Sequence, residues 1–190
     1  VIDRAFSQIK KWNETYNTNL KMSINVSPIQ IENTNFITWL KDKIKKDNIL
    51  PDWIDLEVTE GSAMNPNISF EEIFNLLEDI GINTSIDDFG TGYSSLSYIK
   101  RFNINRLKIA KELIDNIGED KNALLIVQAI IMMAKGMGLK TIAEGVENID
   151  QLKILEKLEC DEIQGYIFGK PVSAKEFEHL HIKQLSNFNF

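Results

Sequence analysis

The chain has 190 residues, 43% hydrophobic and 26% charged, a balance that belongs to a folded domain of ordinary size and excludes a disordered or fibrous chain. Twenty-one lysines and arginines against 28 aspartates and glutamates leave a formal charge of −7, which excludes recognition of a DNA or RNA polymer through a broad basic face. The single cysteine, Cys160, excludes an internal disulfide and a four-thiolate zinc site and suits a reducing, cytoplasmic setting.

Ala5 to Trp12 reads as a helix, and Met22 to Val26, containing Asn25, as a strand. Phe36 to Lys46 has helical periodicity with Phe36, Trp39, Leu40 and Ile44 on one face, and the Lys41 to Lys46 charge run reads as its solvated side. Trp53 to Thr59 is a strand carrying Glu57. Ser69 and Glu72 read as a capping box for a helix from Phe70 to about Asp79, closed by Gly81. Asn83 to Ile86 then forms a strand that ends in Asp87 and Asp88. A short helix over Leu96 to Arg101 leads to the strand Leu107 to Ile109 with Lys108.

A long helix from Ala123 ends at Gly136 and Gly138, with Met132, Met133 and Met137 turned to the core. Its apolar run to Ala134 is interrupted by Gln128 and closed by Lys135, short of the ~20 residues that span a bilayer. No direct membrane insertion and no signal peptide is expected. Lys140 to Ala143 is a strand leading to Glu144. A helix from Asp150 carries Leu152, Ile154, Leu155 and Leu158, and Cys160 to Ile163 is a last strand, with a buried thiol, leading to Gln164. His179 and His181 stand at a spacing that matches no metal motif and read as exposed.

Strands that alternate with helices imply a parallel sheet covered by helices. In an open doubly wound sheet, ligand groups gather at one switch point; in a (β/α)8 barrel nearly every strand contributes at its C-terminal end. Here all six strands carry a polar residue near that end, so the expected fold is a modified TIM-type (β/α)8 barrel, a single domain over 1–190. Such barrels have eight strands and typically ~250 residues, so six strands are expected in this chain and the first two upstream of Val1. Two open sheet edges would then favour pairing with another chain.

The strand-end set is Asn25, Glu57, Asp87, Asp88, Lys108, Glu144 and Gln164. Four carboxylates converging on one rim repel unless a cation intervenes. Oxygen donors without His or Cys suit Mg²⁺, Mn²⁺ or Ca²⁺ over zinc. Asp87 and Asp88 are adjacent, and in a regular strand they would face opposite sides; both reach the rim only if the strand end is irregular. Lys108 either forms a Schiff base or stays charged to steady a water or phosphate, and the carboxylates around it favour the charged form. The glycines of Asp88-Phe-Gly-Thr-Gly-Tyr-Ser-Ser95 fit a phosphate cradle or an interface loop equally well.

Six strings occur in order: Ser23-Ile-Asn-Val-Ser27, Leu56-Glu-Val-Thr-Glu60, Asp87-Asp-Phe-Gly-Thr-Gly-Tyr-Ser-Ser-Leu96, Leu107-Lys-Ile109, Ala143-Glu-Gly-Val-Glu147 and Gln164-Gly-Tyr166. From about residue 5 to residue 178 the chain resembles the EAL-domain family of bacterial cyclic di-GMP phosphodiesterases. The resemblance implies hydrolysis of cyclic di-GMP to linear pGpG with two Mg²⁺ or Mn²⁺ ions. It implies that Asn25, Glu57 and Asp87 hold one ion, and that Asp87 bridges to a second on Asp88 and Glu144. Catalysis then falls to Lys108, beside the attacking water, with Glu144 and Asp88. Glu60 would brace the loop after Asp88, through which the family forms homodimers, and Glu147 and Gln164 would support the substrate side. The resemblance also implies a cytoplasmic place, for the chain on its own or as the cytoplasmic part of a longer, membrane-anchored protein. The family's Glu-Ala-Leu tripeptide does not occur in the chain, and Ala110 stands where the family usually has Asp. These departures motivate an alternative beside the phosphodiesterase reading, a catalytically silent cyclic di-GMP-binding or regulatory domain.

Overall fold

The computed structural model describes residues 1–182 apart from 34, 66 and 93–95. Its frame is a six-stranded, all-parallel sheet in sequence order: β1 (Met22–Asn25), β2 (Ile54–Thr59), β3 (Asn83–Phe89), β4 (Arg106–Ile109), β5 (Lys140–Ala143) and β6 (Glu162–Ile163). The longer helices are α1 (Ile2–Tyr16), α3 (Phe36–Asp47), α5 (Phe70–Ile80), α8 (Lys121–Gly136) and α9 (Ile149–Lys157). Short helices fill the loops: α2 (Pro28–Glu32), α4 (Glu60–Ala63), α6 (Leu96–Ile99), α7 (Lys111–Asp115) and α10 (Ala174–Phe177). This is the curled, helix-backed sheet of a TIM-type barrel. Among the described residues no strand pairs with the outer side of β1 or β6, and no helix is long and apolar enough to cross a membrane.

Alternation along the strands divides the polar from the apolar. Ile54, Leu56 and Val58 of β2, Ile86 of β3, and Leu107 and Ile109 of β4 are at most 1% exposed. They share one core with Phe6, Leu40, Phe70, Phe74, Leu77 and Val127 from the helices. The intervening positions, Asp55, Glu57, Ser85, Asp87, Arg106 and Lys108, are buried on the opposite, concave face. A core that lies between sheet and helices leaves the concave face free to carry charge.

Several local expectations are corrected. Ser69 is the N-cap of α5 but makes no capping hydrogen bond; the reciprocal capping boxes are Ser27/Gln30, Asn148/Gln151 and Ser173/Glu176. Trp39 is 41% exposed, stacked at 6.0 Å on Phe36, because the buried stripe of α3 is only Phe36, Leu40 and Ile44. Lys43, within the charge run, is half-buried and pairs with Asp3 and Asp47. Met132 is 67% exposed and Met137 36%, since α8 buries Ala123, Val127, Ile130, Ile131 and Ala134. Cys160 is only half-buried and precedes the last strand, which begins at Glu162.

Candidate active site

The strand ends meet at one rim. The register sets Asn25 beside Glu57, and Thr59, two residues past Glu57, beside Asp87. Glu144 follows β5 directly and donates its backbone N–H to the Ile109 carbonyl at 3.1 Å. On the concave face Lys108 Nζ lies 2.8 Å from Asp87 Oδ1, 2.8 Å from Glu144 Oε1 and 2.9 Å from Glu57 Oε2. Its side chain is 3% exposed.

Asp88 joins the group through a break in β3. The β3–β4 register shifts between Ile86 and Phe89, and Asp88 has φ 54°, a left-handed conformation that Asp tolerates better than most residues. Ligand oxygens of Asp87, Asp88 and Glu144 thereby lie within 4.8 Å of one another. Directly beyond, Gly90 takes φ 98°, and its N–H donates to Glu60 Oε2 at 2.8 Å. Glu60 is 2% exposed, so a buried carboxylate behind the rim holds the start of the loop. The Tyr93-Ser-Ser95 part of the glycine loop lies outside the described residues.

Electrostatics follow from crowding. Burial opposes the Lys108 ammonium, but Asp87, Glu144 and Glu57 outweigh it and push the lysine above its ordinary value. Burial raises the Glu144 carboxyl; Lys108 opposes the shift while Asp87 and Glu57 add to it. Burial also raises Asp88, reinforced by the charges of Asp87 and Glu112. Four carboxylates around one ammonium leave an excess of negative charge. Asp87 Oδ1 is buried and, among the described residues, meets no donor beyond the Lys108 ammonium 2.8 Å away. A buried acceptor in that condition, among hard oxygen donors, fits a divalent cation.

The remaining sequence-derived residues lie around this centre. Asn25 is exposed at the end of β1. Glu147 is turned to Lys111, 2.7 Å away. With Lys111, Glu144, Gln164 and Tyr166 it lines a cavity of about 270 Å³. The loops carrying Glu147 and Gln164 cross closely, since a Cβ on Gly165 would stand 2.1 Å from the Val146 carbonyl oxygen. Sequence reasoning missed Lys111, and it missed the pair Asp55 and Arg106 below the rim. The signal for that pair was present: each stands two residues before a strand-end residue and so shares its face.

The family model "EAL domain" matches residues 1–171. The signaling protein YkoW of Bacillus subtilis is 39% identical over 98% of the chain, and the bifunctional diguanylate cyclase/cyclic di-GMP phosphodiesterase MucR of Pseudomonas aeruginosa is 34% identical over 93%. The chain covers 23% and 26% of these two proteins, about a quarter of their length. The MucR phosphodiesterase solved with cyclic di-GMP superposes with a TM-score of 0.87 at 33% identity, over 92% of this chain and 71% of that one. BlrP1 of Klebsiella pneumoniae, solved with manganese and cyclic di-GMP, gives 0.76 at 26% identity, over 90% and 46%. A parallel barrel sheet with a carboxylate-rimmed lysine, matched over nearly its whole length by that family model, places this chain in the EAL domain family.

Proposed function

We propose that the chain is the catalytic core of a metal-dependent phosphodiesterase that opens one phosphodiester of cyclic di-GMP to linear pGpG. The observation that carries this reading is the meeting of ligand oxygens from Asp87, Asp88 and Glu144 within 4.8 Å of one another, on a rim where four carboxylates face the one Lys108 ammonium. The kinship with MucR and BlrP1, both solved with cyclic di-GMP, supplies the substrate.

Asn25, Glu57 and Asp87 would hold one Mg²⁺ or Mn²⁺, and Asp87, Asp88 and Glu144 a second. When bound, such ions acidify water and offset charge that builds on the phosphoryl oxygens. Lys108 stays protonated, contacts three of these carboxylates, and donates toward the attacking water or the phosphate. Glu60 fixes the loop that starts at Gly90. Glu147 sets Lys111 on the Gln164 side of the rim, where that ammonium can meet the second phosphate. The loop after Asp88 would join two copies in a homodimer, and the single unpaired thiol suits work in the cytoplasm.

The full-length protein that carries this chain, given Mn²⁺ or Mg²⁺ and cyclic di-GMP, is expected to yield pGpG. Asp87→Asn is expected to lower the rate on the order of 10²-fold or more, because it removes charge where both ions would lie. No linear product from folded wild type rejects hydrolysis, and a loss under about threefold rejects the role given to Asp87. Ala110 favours a second reading, a silent receptor. It is fully buried as the N-cap of α7 and brings no side-chain oxygen to the neighbourhood of Lys108. Calorimetric binding of cyclic di-GMP with the ligand recovered intact would select that reading.

A further inference from the structure

Below the carboxylates lies a second polar layer that the reaction does not touch. Residues two apart on a strand face the same way. Asp55, Ser85 and Arg106 therefore stand one step under Glu57, Asp87 and Lys108, with 4%, 0% and 7% exposure. Asp55 Oδ1 accepts the Ser85 hydroxyl at 2.7 Å, and Asp55 Oδ2 meets Arg106 Nη1 at 2.7 Å. Arg106 Nε reaches on to Glu162 Oε1 at 3.3 Å. One guanidinium thus links β2 to β6 across the concave face, although these strands are not neighbours in the sheet.

The ladder fixes the distance between adjacent strands but not the curvature of the whole sheet, because the twist between neighbours varies and accumulates. The separation of non-adjacent strand ends is set by whatever crosses the concave side. In most TIM barrels bulky aliphatic layers fill that space. Here a planar fork with fixed donor directions does so, and a fork sets a distance where aliphatic groups only fill a volume. Stability alone does not account for the arrangement, since a buried ion pair adds little over apolar side chains of the same size.

We infer that Arg106 is a positioning residue: paired with Asp55 and Glu162 across the sheet, it sets the curvature that holds Glu57, Asp87 and Glu144 at the spacing the two divalent cations need. The inference deepens the metal-dependent reading above and rests on it.

The test compares the wild-type chain with Asp55→Leu/Arg106→Met, which replaces the pair by apolar side chains, and with Arg106→Lys, which keeps the charge and loses the fork. Mn²⁺ affinity is read by calorimetry, folding by thermal unfolding, and cyclic di-GMP turnover separately. The double variant is expected to melt close to wild type yet bind Mn²⁺ at least about 10-fold more weakly, with Arg106→Lys between the two. Wild-type Mn²⁺ affinity in the folded double variant overturns the inference. Should the double variant fail to fold, Arg106→Lys decides: weaker Mn²⁺ binding at an unchanged melting temperature supports the inference. Unchanged affinity, or a loss that only follows a fall in melting temperature, overturns it. A wild type that binds Mn²⁺ but leaves cyclic di-GMP intact rejects the hydrolytic reading, and the role of Arg106 is then judged on Mn²⁺ affinity alone.

Discussion

Lys108 is the counterion of its own site. Carboxylates gathered in a buried place need a cation, and among the described residues the ammonium that touches Glu57, Asp87 and Glu144 is Lys108. The shift of this lysine above its ordinary value keeps it protonated, which removes the neutral amine that Schiff-base chemistry requires. Lys108→Met should therefore unmask the repulsion. Without metal the variant should lose about 3–5 kcal/mol of stability, the usual cost of stripping one partner from a buried charge cluster. Added Mn²⁺ should then raise its melting temperature more than it raises that of wild type, because the cation no longer competes with an ammonium for the same oxygens. Scanning calorimetry with and without Mn²⁺ reads both effects. Equal metal-induced shifts in the two proteins would show that ammonium and metal do not share these carboxylates.

At the scale of elements, α10 and the turn after it, Glu178–Ile182, are pinned to α1. Glu178 Oε1 accepts the Tyr16 hydroxyl at 2.6 Å, its Oε2 accepts Trp12 Nε1–H at 3.3 Å, and Phe177 packs against the Trp12 ring at 5.1 Å. The Tyr16 hydroxyl, against a burial effect of opposite sign, holds Glu178 below the ordinary carboxylate range, helped by Trp12 and Lys11. A depressed carboxylate stabilises the fold fully above its unfolded pKa of about 4.3 and loses that effect as pH falls through the lower folded value. Wild type should thus melt above Glu178→Gln at pH 7, and the difference should close as the pH drops below about 4. A gap that is the same at both ends of the titration would remove Glu178 as the clamp. The sequence revealed the strand ends because polar residues interrupting short apolar runs are rare, and it revealed the irregularity at Asp87–Asp88 because two adjacent rim residues violate alternation. It did not reveal that Trp39 and Met132 face outward, because apolar residues flank the buried stripe of each helix and only packing partners decide how wide that stripe is. Nor did it reveal the contact of Glu178 with α1, or the reach of Arg106 from Asp55 to Glu162, since both join residues distant in sequence and leave no periodic trace.

The whole molecule is a curved sheet with a seam. β1 and β6 are its outer strands, and between them runs a groove of about 710 Å³ lined by Trp12, Met22, Gln164, Tyr166, Phe168 and Phe177. Tyr166 and Phe168 are 54% and 62% exposed. An apolar groove beside strand backbone that no described strand pairs with is a template for another strand. On β1 the direction of that template can be assigned. The Val26 N–H donates to the Glu57 carbonyl at 2.9 Å, so the even-numbered amides of β1 serve β2 and those of Ser23 and Asn25 point away from it. Ser23 is also exposed. Ser23→Pro therefore removes an outward amide without breaking the ladder to β2, in a place where an edge strand tolerates proline. The isolated wild-type chain should self-associate as its concentration rises, and Ser23→Pro should weaken that association while keeping the melting temperature. Light scattering over a concentration series checks both. A wild type that stays monomeric throughout would mean that the seam is closed within the chain, whereas association untouched by the proline would move the contact to another surface, the loop after Asp88 first among them.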